Sequence, residues 1–355
     1  MRSILLNPGP VTVSKSVKKA LCHDDICHRE KEFTDIINKI KEDLVLISRG
    51  GDDYEATLFC GSGTLAMEVI LSSVVKQNDR ILIISNGLYG DRFAEMAKIH
   101  NIDFFEHKSG WGKEIDLKAI EVLLRTRSFS HVFVIHHETT TGILNPIKEI
   151  GYLSKKYGCV YVVDAISSFG GIPFSIKDCK IDFLASVSNK CIQGIPGVCF
   201  VISKKSEIEK IRGYNRSYYL DLYDETINQR NKGQMRFTAP TMTIYSFKQA
   251  LDELQEETVD RRYQRYCKSY KTLVDGLQMF KLYTKKSPSK LLTTFYQPDC
   301  FDFIYFHDKL YEKGYTIYPG LLKEKTIRIA VMGDIYNKDI EMFLKDAKSV
   351  ICDMK

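Results

Sequence analysis

Short apolar runs alternate with amphipathic stretches between residues 60 and 205 of the chain. The apolar runs are rich in valine and isoleucine and have the length of buried strands, which predicts strands at 80–85, 131–137, 159–165, 182–188 and 197–203. The stretches between them predict helices at 64–75, 89–99, 116–126 and 147–157. Strands that alternate with helices indicate crossover connections, so this region is predicted to form a doubly wound, mainly parallel α/β sheet. Ligands of such sheets bind at the carboxyl ends of the strands.

The pattern changes after Pro240. A long helical region is predicted at 241–278, and the rest of the chain mixes strand and helix patterns. Strands are predicted near 281–285 and at 315–319 and 326–332, with a helix within 301–314 and a last helix from Asn337. This second part of the chain is therefore predicted to be a smaller α+β domain.

Composition and charge narrow the class of protein. Hydrophobic residues make up 44% of the chain and charged residues 27%, which is typical of a globular protein. The net charge of +6 is spread along the chain, which favours a solvated basic surface over nucleic-acid binding. Ten cysteines without a C-x-x-C pair favour free thiols in a reducing compartment, and no metal site is predicted. The apolar stretch at the start of the chain is short and is interrupted by Pro8 and Pro10, so it does not predict a signal peptide. No apolar run is long enough for a membrane span, and we therefore expect a cytoplasmic protein.

Two candidate functional features lie where predicted strands meet helices or loops. The segment CGSGT, which ends in Thr64, precedes an apolar helix, and small residues at a helix start let backbone N–H groups converge on an anion. A plain tight turn explains that segment equally well. Asp164 follows a strongly apolar strand, where a carboxylate needs a cation or several donors. Asp164 could also cap a helix or pair with a nearby arginine.

Two cations complete the set. Lys190 stands where a predicted strand ends, and it is either a surface lysine or an amine that forms a Schiff base with a carbonyl cofactor. Arg328 is surrounded by apolar residues and needs a buried anion, either a carboxylate of the protein or a substrate. One ligand would satisfy the GSGT turn, Asp164 and Lys190 together: pyridoxal phosphate, through its phosphate, its protonated ring nitrogen and its aldehyde.

Longer stretches carry a resemblance to a known family. The most specific are CHREKEF, HETTTGILNP and NKCIQGIPG, and others, such as NPGPVTVSKSVKKA, SNGLYGDR, RFTAPT and IRIAVMGD, extend nearly from end to end of the chain. Through these stretches the chain resembles the class V aminotransferases of fold type I. The resemblance implies a ping-pong, pyridoxal-phosphate-dependent transaminase that exchanges an amino group between 2-aminoethylphosphonate and pyruvate. The other products would be phosphonoacetaldehyde and L-alanine.

The resemblance also implies where the cofactor binds. Ser62, Gly63 and Thr64 would bind the phosphate, Tyr89 would stack on the ring, and Thr139 would contact the ring oxygen or its surroundings. The same resemblance implies three regions: an N-terminal segment at 1–15, associated with the small domain and the entrance to the active site, a large cofactor-binding domain at 16–250, and a small domain at 251–355.

Four further residues receive roles in the same way. Lys190 would form the Schiff base with the cofactor, Asp164 would pair with the ring nitrogen, and Arg328 would bind the substrate anion. Thr238 would reach the phosphate from the second subunit of a homodimer. One position departs from the family pattern: Val187 stands where relatives often have a serine that contacts the phosphate. Ser186 or Ser188 could replace that contact, or it is missing.

Three alternative functions are weighed against this prediction. An alanine–glyoxylate or serine–pyruvate aminotransferase would share the cofactor site, and the CHREKEF and NKCIQG stretches favour the phosphonate substrate instead. A cysteine desulfurase would need a nucleophilic cysteine between Tyr311 and Arg328, where the sequence has none. A non-catalytic α/β binding module would have no use for both Lys190 and Asp164.

Overall fold

The computed structural model describes residues 2–354, so the outermost residues of the predicted N-terminal segment and small domain lie outside the described residues. The strands are β1 Ile4–Leu5, β2 Tyr54–Gly61, β3 Arg80–Ser85, β4 Asp103–Lys108, β5 His131–Ile135, β6 His137–Glu138, β7 Ile143–Leu144, β8 Val160–Asp164, β9 Phe183–Val187, β10 Gly197–Lys204, β11 Leu292–Tyr296, β12 Tyr315–Thr316, β13 Tyr318–Pro319 and β14 Thr326–Ala330. The α-helices are α1 Lys15–Lys19, α2 Lys31–Ser48, α3 Gly63–Val74, α4 Leu88–Ile99, α5 Leu117–Thr126, α6 Ile147–Lys156, α7 Lys205–Ile208, α8 Leu222–Lys232, α9 Thr241–Glu257, α10 Val259–Gly276, α11 Phe303–Glu312 and α12 Asn337–Asp353.

A seven-stranded sheet forms the centre of the fold, in the order β2-β10-β9-β8-β5-β3-β4. The neighbours from β9 to β4 are paired in parallel, and β10 runs antiparallel to both β9 and β2. Successive residues of β3 belong to different apolar clusters: Leu82 packs in one and Ile83 in the other. The sheet is thus buried on both faces, as parallel sheets require, and the predicted mainly parallel α/β architecture is confirmed.

The predicted elements of the central region are confirmed, with shifts of one or two residues at their ends. The long helical region at 241–278 is instead two helices, α9 and α10, which meet at Thr258. Thr258 has a φ of 68°, which a continuous α-helix does not allow, and its hydroxyl caps α10 by accepting from the Arg261 backbone N–H at 3.3 Å. The proposed boundary at 250/251 lies within α9, and the three-region division stays a prediction.

A three-stranded sheet, in the order β11-β14-β13, forms the C-terminal part of the fold. The predicted strand at 315–319 is split into β12 and β13, because the two halves pair with different partners: β12 with the N-terminal β1, and β13 with β14. The predicted strand near 281–285 is reduced to a single bridge between Leu282 and Phe295. The pairing of β1 with β12 brings the start of the chain to the C-terminal part.

Two further features of the fold concern its cysteines and its helices. All ten cysteines lie within the described residues, and each is a free thiol. Of the helices in residues 2–354, none combines the length and the apolar composition that crossing a membrane would require.

Candidate active site

A cavity of about 220 Å³ lies at the carboxyl ends of the parallel strands β8 and β9. Six of the residues predicted from the sequence line it, together with seven others; the predicted ones are Ser62, Gly63, Thr64, Tyr89, Asp164 and Lys190. They come from four separate segments of the chain. The central sheet therefore brings most of the predicted site residues together in this cavity, at the edge where ligands of such sheets bind.

The first turn of α3 forms one wall of the cavity. Ser62 is the N-cap residue of this 12-residue helix, and its side chain makes no capping hydrogen bond. The N–H groups of the first turn therefore point toward the cavity without a side-chain acceptor from Ser62. Arg92 lies beside them, where its Nη1 donates to Thr64 Oγ1 at 3.4 Å. A helix start with a neighbouring guanidinium can bind an anion such as a phosphate.

Asp164, at the end of β8, is buried and has an incomplete set of partners. Its Oδ1 accepts a hydrogen bond from the Ile166 backbone N–H at 2.8 Å, and within residues 2–354 it forms no ion pair. Burial raises its pKa to about 7, against the effect of the Ile166 hydrogen bond, which lowers it. A cation in the cavity next to this carboxylate would stabilise its ionised form.

Lys190 reaches the cavity from the turn after β9. Its Nζ donates to the Pro8 carbonyl oxygen at 2.6 Å, a contact between residues 182 positions apart. Burial lowers the pKa of Lys190 to about 8, and the charge of Arg328 acts in the same direction. A larger fraction of this amine is therefore neutral, and so nucleophilic, near pH 7 than of an ordinary lysine.

Tyr89 stands on the first turn of α4 and presents its ring to the cavity. The Arg92 guanidinium, three residues further along the same helix, lies 4.9 Å from the centre of that ring. The Tyr89 backbone N–H donates to Glu138 Oε2 at 3.2 Å, which ties the start of α4 to β6. Both anchors restrict the ring to the cavity wall.

Arg328 lies on β14, the central strand of the three-stranded sheet, and is 5% exposed. Its Nε donates to the Pro319 carbonyl at 3.2 Å and its Nη1 to the Thr139 carbonyl at 3.4 Å. Within the part of the chain that the structure describes, no carboxylate pairs with it, and burial lowers its pKa. Of the two anions left open by the sequence, the geometry therefore favours one from outside the chain.

Three predicted residues do not line the cavity: Arg328, Thr139 and Thr238. Thr139 is buried and contacts Arg328 through its backbone carbonyl. Thr238 is exposed, and its carbonyl accepts a weak hydrogen bond from Cys60 Sγ at 3.8 Å, two residues before Ser62. The role of Thr238 across a homodimer stays a prediction.

Val187 stands where relatives often have a serine, and the structure shows whether Ser186 or Ser188 lies in its place. Val187 lines the cavity, and because side chains alternate along a strand, its two neighbours face away from it. The Ser186 hydroxyl donates to the Ala165 carbonyl at 3.2 Å, and the Ser188 hydroxyl donates to the Ile195 carbonyl at 2.5 Å. Neither serine lines the cavity, so neither takes the place of a hydroxyl at position 187.

Sequence reasoning missed three polar groups of the site. Arg92 and Asn189 line the cavity, and the Pro8 carbonyl accepts from Lys190. The spacing of Arg92 from Tyr89 is a signal that could have been used, since residues three apart share a helix face. Nothing in the sequence indicates that Pro8 meets Lys190.

Comparisons with known proteins identify the family of this chain. The class V aminotransferase family model matches residues 14–298. A 2-aminoethylphosphonate–pyruvate transaminase of Phocaeicola vulgatus is 40% identical over 356 residues, 98% of each chain. A protein of the same name from Klebsiella pneumoniae is 40% identical over 350 residues, covering 96% of this chain and 95% of its own.

A solved structure extends the likeness to the fold. The alanine–glyoxylate aminotransferase of Nostoc sp. superposes with a TM-score of 0.92, at 25% identity, over 99% of this chain and 96% of its own. The predicted fold-type I architecture is thereby confirmed. Because both the family model and relatives at 40% identity span most of the sequence, this chain is a member of the class V aminotransferase family.

Proposed function

We propose that this protein is a pyridoxal-phosphate-dependent transaminase that interconverts 2-aminoethylphosphonate and pyruvate with phosphonoacetaldehyde and L-alanine. The observation that carries the proposal is the cavity in which Lys190, Asp164 and the uncapped start of α3 meet. The choice of substrates rests on the relatives at 40% identity, which are named for this reaction.

The residues of the cavity fit pyridoxal phosphate in three respects. The start of α3, with Ser62, Gly63 and Thr64, offers backbone donors for a phosphate, and Arg92 adds a positive charge there. Asp164 is a buried carboxylate that, within residues 2–354, lacks a cationic partner, as a protonated ring nitrogen would require. Lys190 supplies an amine of lowered pKa for the aldehyde.

Bound pyridoxal phosphate would supply an aldehyde that takes up amino groups and a ring that accepts the electrons released from a C–H bond. Lys190 Nζ is the cavity amine that would take the proton from the substrate carbon bearing the amino group and return it later in the cycle. Asp164 would keep a positive charge at the ring nitrogen, and Tyr89 would cover one face of the ring. Arg328 would bind the substrate anion, phosphonate in one half-reaction and carboxylate in the other.

The function is tested by the two half-reactions measured separately. The purified protein loaded with pyridoxal phosphate should lose its visible absorption band on addition of 2-aminoethylphosphonate and regain it on addition of pyruvate. An alanine–glyoxylate aminotransferase would instead have a larger kcat/KM with alanine and glyoxylate and would not react with 2-aminoethylphosphonate. No spectral change with any amino donor would leave a binding module as the better description.

Replacement of Arg328 by lysine is expected to lower kcat/KM in both half-reactions. Lysine keeps the charge but loses the planar fork of donors, and a charge-assisted hydrogen bond contributes about 1.5–3 kcal/mol, so the loss should be roughly ten- to hundredfold. Single-turnover absorbance with each substrate measures it. Arg230→Lys is the matched control, because Arg230 pairs with Glu55 away from the cavity. An unchanged pyruvate half-reaction would mean that another cation binds the carboxylate.

Gly9→Ala is expected to lower kcat on the order of tenfold, which corresponds to about 1.4 kcal/mol. Gly9 has a φ of 138°, and a Cβ there would lie 2.2 Å from Lys190 Nζ, so the amine would have to move. Gly158→Ala is the control, since Gly158 also has a positive φ, of 73°, but no atom within 4 Å of an added Cβ. Steady-state kinetics that match the wild type for Gly9→Ala would show that the N-terminal segment does not position the amine.

A homodimer and a cytoplasmic location complete the proposal. Thr238 is exposed beside the segment that leads into Ser62, where a second subunit could share a phosphate site. The ten free thiols fit a reducing compartment.

A further inference from the structure

Glu138 is a buried carboxylate that lies next to the cavity and has no place in the mechanism described above. It is 0% exposed, and four donors converge on its two oxygens. Oε2 accepts from the backbone N–H groups of Tyr89 at 3.2 Å and Gly90 at 3.3 Å. Oε1 accepts from the Thr140 backbone N–H at 3.1 Å and from the Thr140 hydroxyl at 2.6 Å.

These four donors require both carboxylate oxygens of Glu138 to act as hydrogen-bond acceptors. The Thr140 hydroxyl already accepts from the Leu88 N–H at 3.0 Å, so its proton is directed to Glu138. Tyr89 and Gly90 belong to the first turn of α4, whose N–H groups have no partner within the helix and whose dipole favours a negative charge. Within residues 2–354 Glu138 forms no ion pair, so these donors are what stabilises its charge. Burial raises the pKa of Glu138, and the same hydrogen bonds act to lower it.

Glu138 joins the cavity wall that carries Tyr89 to the segment that contacts Arg328. On one side is the start of α4, which carries Tyr89. On the other is the turn from Thr139 to Gly142, where the Thr139 carbonyl accepts from Arg328. The space around Glu138 is tight, since a Cβ at Gly87 would lie 2.3 Å from its Cδ and Cγ. A shift of this carboxylate would therefore move the start of α4.

We infer that Glu138 is a positioning residue of this enzyme: its carboxylate sets the place of Tyr89 relative to Thr139 and Arg328. The inference rests on the proposed function for its catalytic consequence. Its structural consequence, the placement of the start of α4, can be measured independently of activity.

The test is Glu138→Gln in the full chain loaded with pyridoxal phosphate. Glutamine has the same shape, but its NH₂ group must face either the Tyr89 and Gly90 N–H groups or the Thr140 N–H. In either orientation an N–H donor faces another N–H donor, and no hydrogen bond forms there. We expect kcat/KM for 2-aminoethylphosphonate to fall on the order of tenfold or more, as for a lost hydrogen bond to a charged group. Asp221→Asn is the control: Asp221 is a buried N-cap that accepts from the Asp224 N–H at 3.0 Å, on α8, outside the cavity.

A second readout follows α4 itself. Trp111 is the only tryptophan of the chain, and its indole N–H donates to Asp91, two residues after Tyr89, at 2.9 Å. Its emission maximum should shift in Glu138→Gln and stay unchanged in Asp221→Asn. Should Glu138→Gln not fold, Thr140→Val removes the Thr140 hydroxyl with little change of shape, and with it one donor to Glu138 and the acceptor of the Leu88 N–H. A change of the same sign in both readouts is expected.

The outcomes separate the two proposals. Wild-type kinetics together with wild-type emission in Glu138→Gln, or in Thr140→Val if that variant is needed, would overturn the inference about Glu138. A wild-type protein without transamination would overturn the proposed function alone, and the emission of Trp111 would still decide whether Glu138 positions α4.

Discussion

Replacement of Lys190 by alanine should abolish transamination and the covalent attachment of pyridoxal phosphate. Lys190 contributes the cavity amine, and its lowered pKa of about 8 makes it both a nucleophile for an aldehyde and a base near neutral pH. A positioned general base alone contributes roughly 10²–10⁴-fold to a rate. Loss of the attachment adds to this, so residual turnover should fall below detection.

The measurement is reduction of the loaded protein with borohydride, followed by peptide mapping. The wild type should carry the reduced cofactor on the peptide that contains Lys190, and Lys190→Ala should carry none. Lys190→Arg is the companion variant, because it keeps a positive charge near the Pro8 carbonyl but cannot form the same linkage. Label on a different lysine in the wild type would refute the assignment.

Asp164→Asn is expected to have the second largest effect, a rate loss of about 10²- to 10⁴-fold with the cofactor still attached to Lys190. Asparagine can still accept from the Ile166 N–H through its oxygen, so the loop after β8 should keep its shape. What is lost is the charge that faces the ring nitrogen. Removing one partner of a buried ion pair costs about 3–5 kcal/mol, which corresponds to that range of rates.

Single-turnover kinetics of both half-reactions measure this effect, and the borohydride experiment verifies that the cofactor remains attached. Asp182→Asn is an informative comparison, since Asp182 is a buried carboxylate of the same sheet region that pairs with Lys155 outside the cavity. Asp182→Asn should lower the free energy of unfolding and leave the rates of the two half-reactions nearly unchanged. Equal rates for Asp164→Asn and the wild type would remove Asp164 from the mechanism.

Local patterns were sufficient for five of the seven strands of the central sheet, all but its two edge strands β2 and β4, and for the two residues on which the chemistry depends. Strands buried on both faces are mainly apolar, so β3, β5, β8, β9 and β10 are visible as short apolar runs in the sequence. A charged residue at the end of such a run is conspicuous because it is costly to bury without a partner. Asp164 and Lys190 were found in this way, and both line the cavity.

Patterns at sheet edges and helix junctions were less informative. The strand at 315–319 is split because its halves pair with β1 and β14, and neither partner is visible in the segment itself. The helical region at 241–278 has a continuous apolar periodicity, which does not reveal the left-handed conformation at Thr258. Which partner a short segment finds depends on the path of the rest of the chain.

Residue patterns alone indicate the α/β class, the family resemblance and three charges that need a ligand or a partner: Lys190, Asp164 and Arg328. Which distant groups contact these residues is visible only in the folded chain. In the folded chain the Pro8 carbonyl accepts from Lys190, Arg92 donates to Thr64, and four donors converge on Glu138. The side chains of Ser186 and Ser188 point away from the cavity. The physical reason is that burial leaves a periodic trace along the chain, whereas hydrogen bonds between remote segments depend on how helices and strands cross in space.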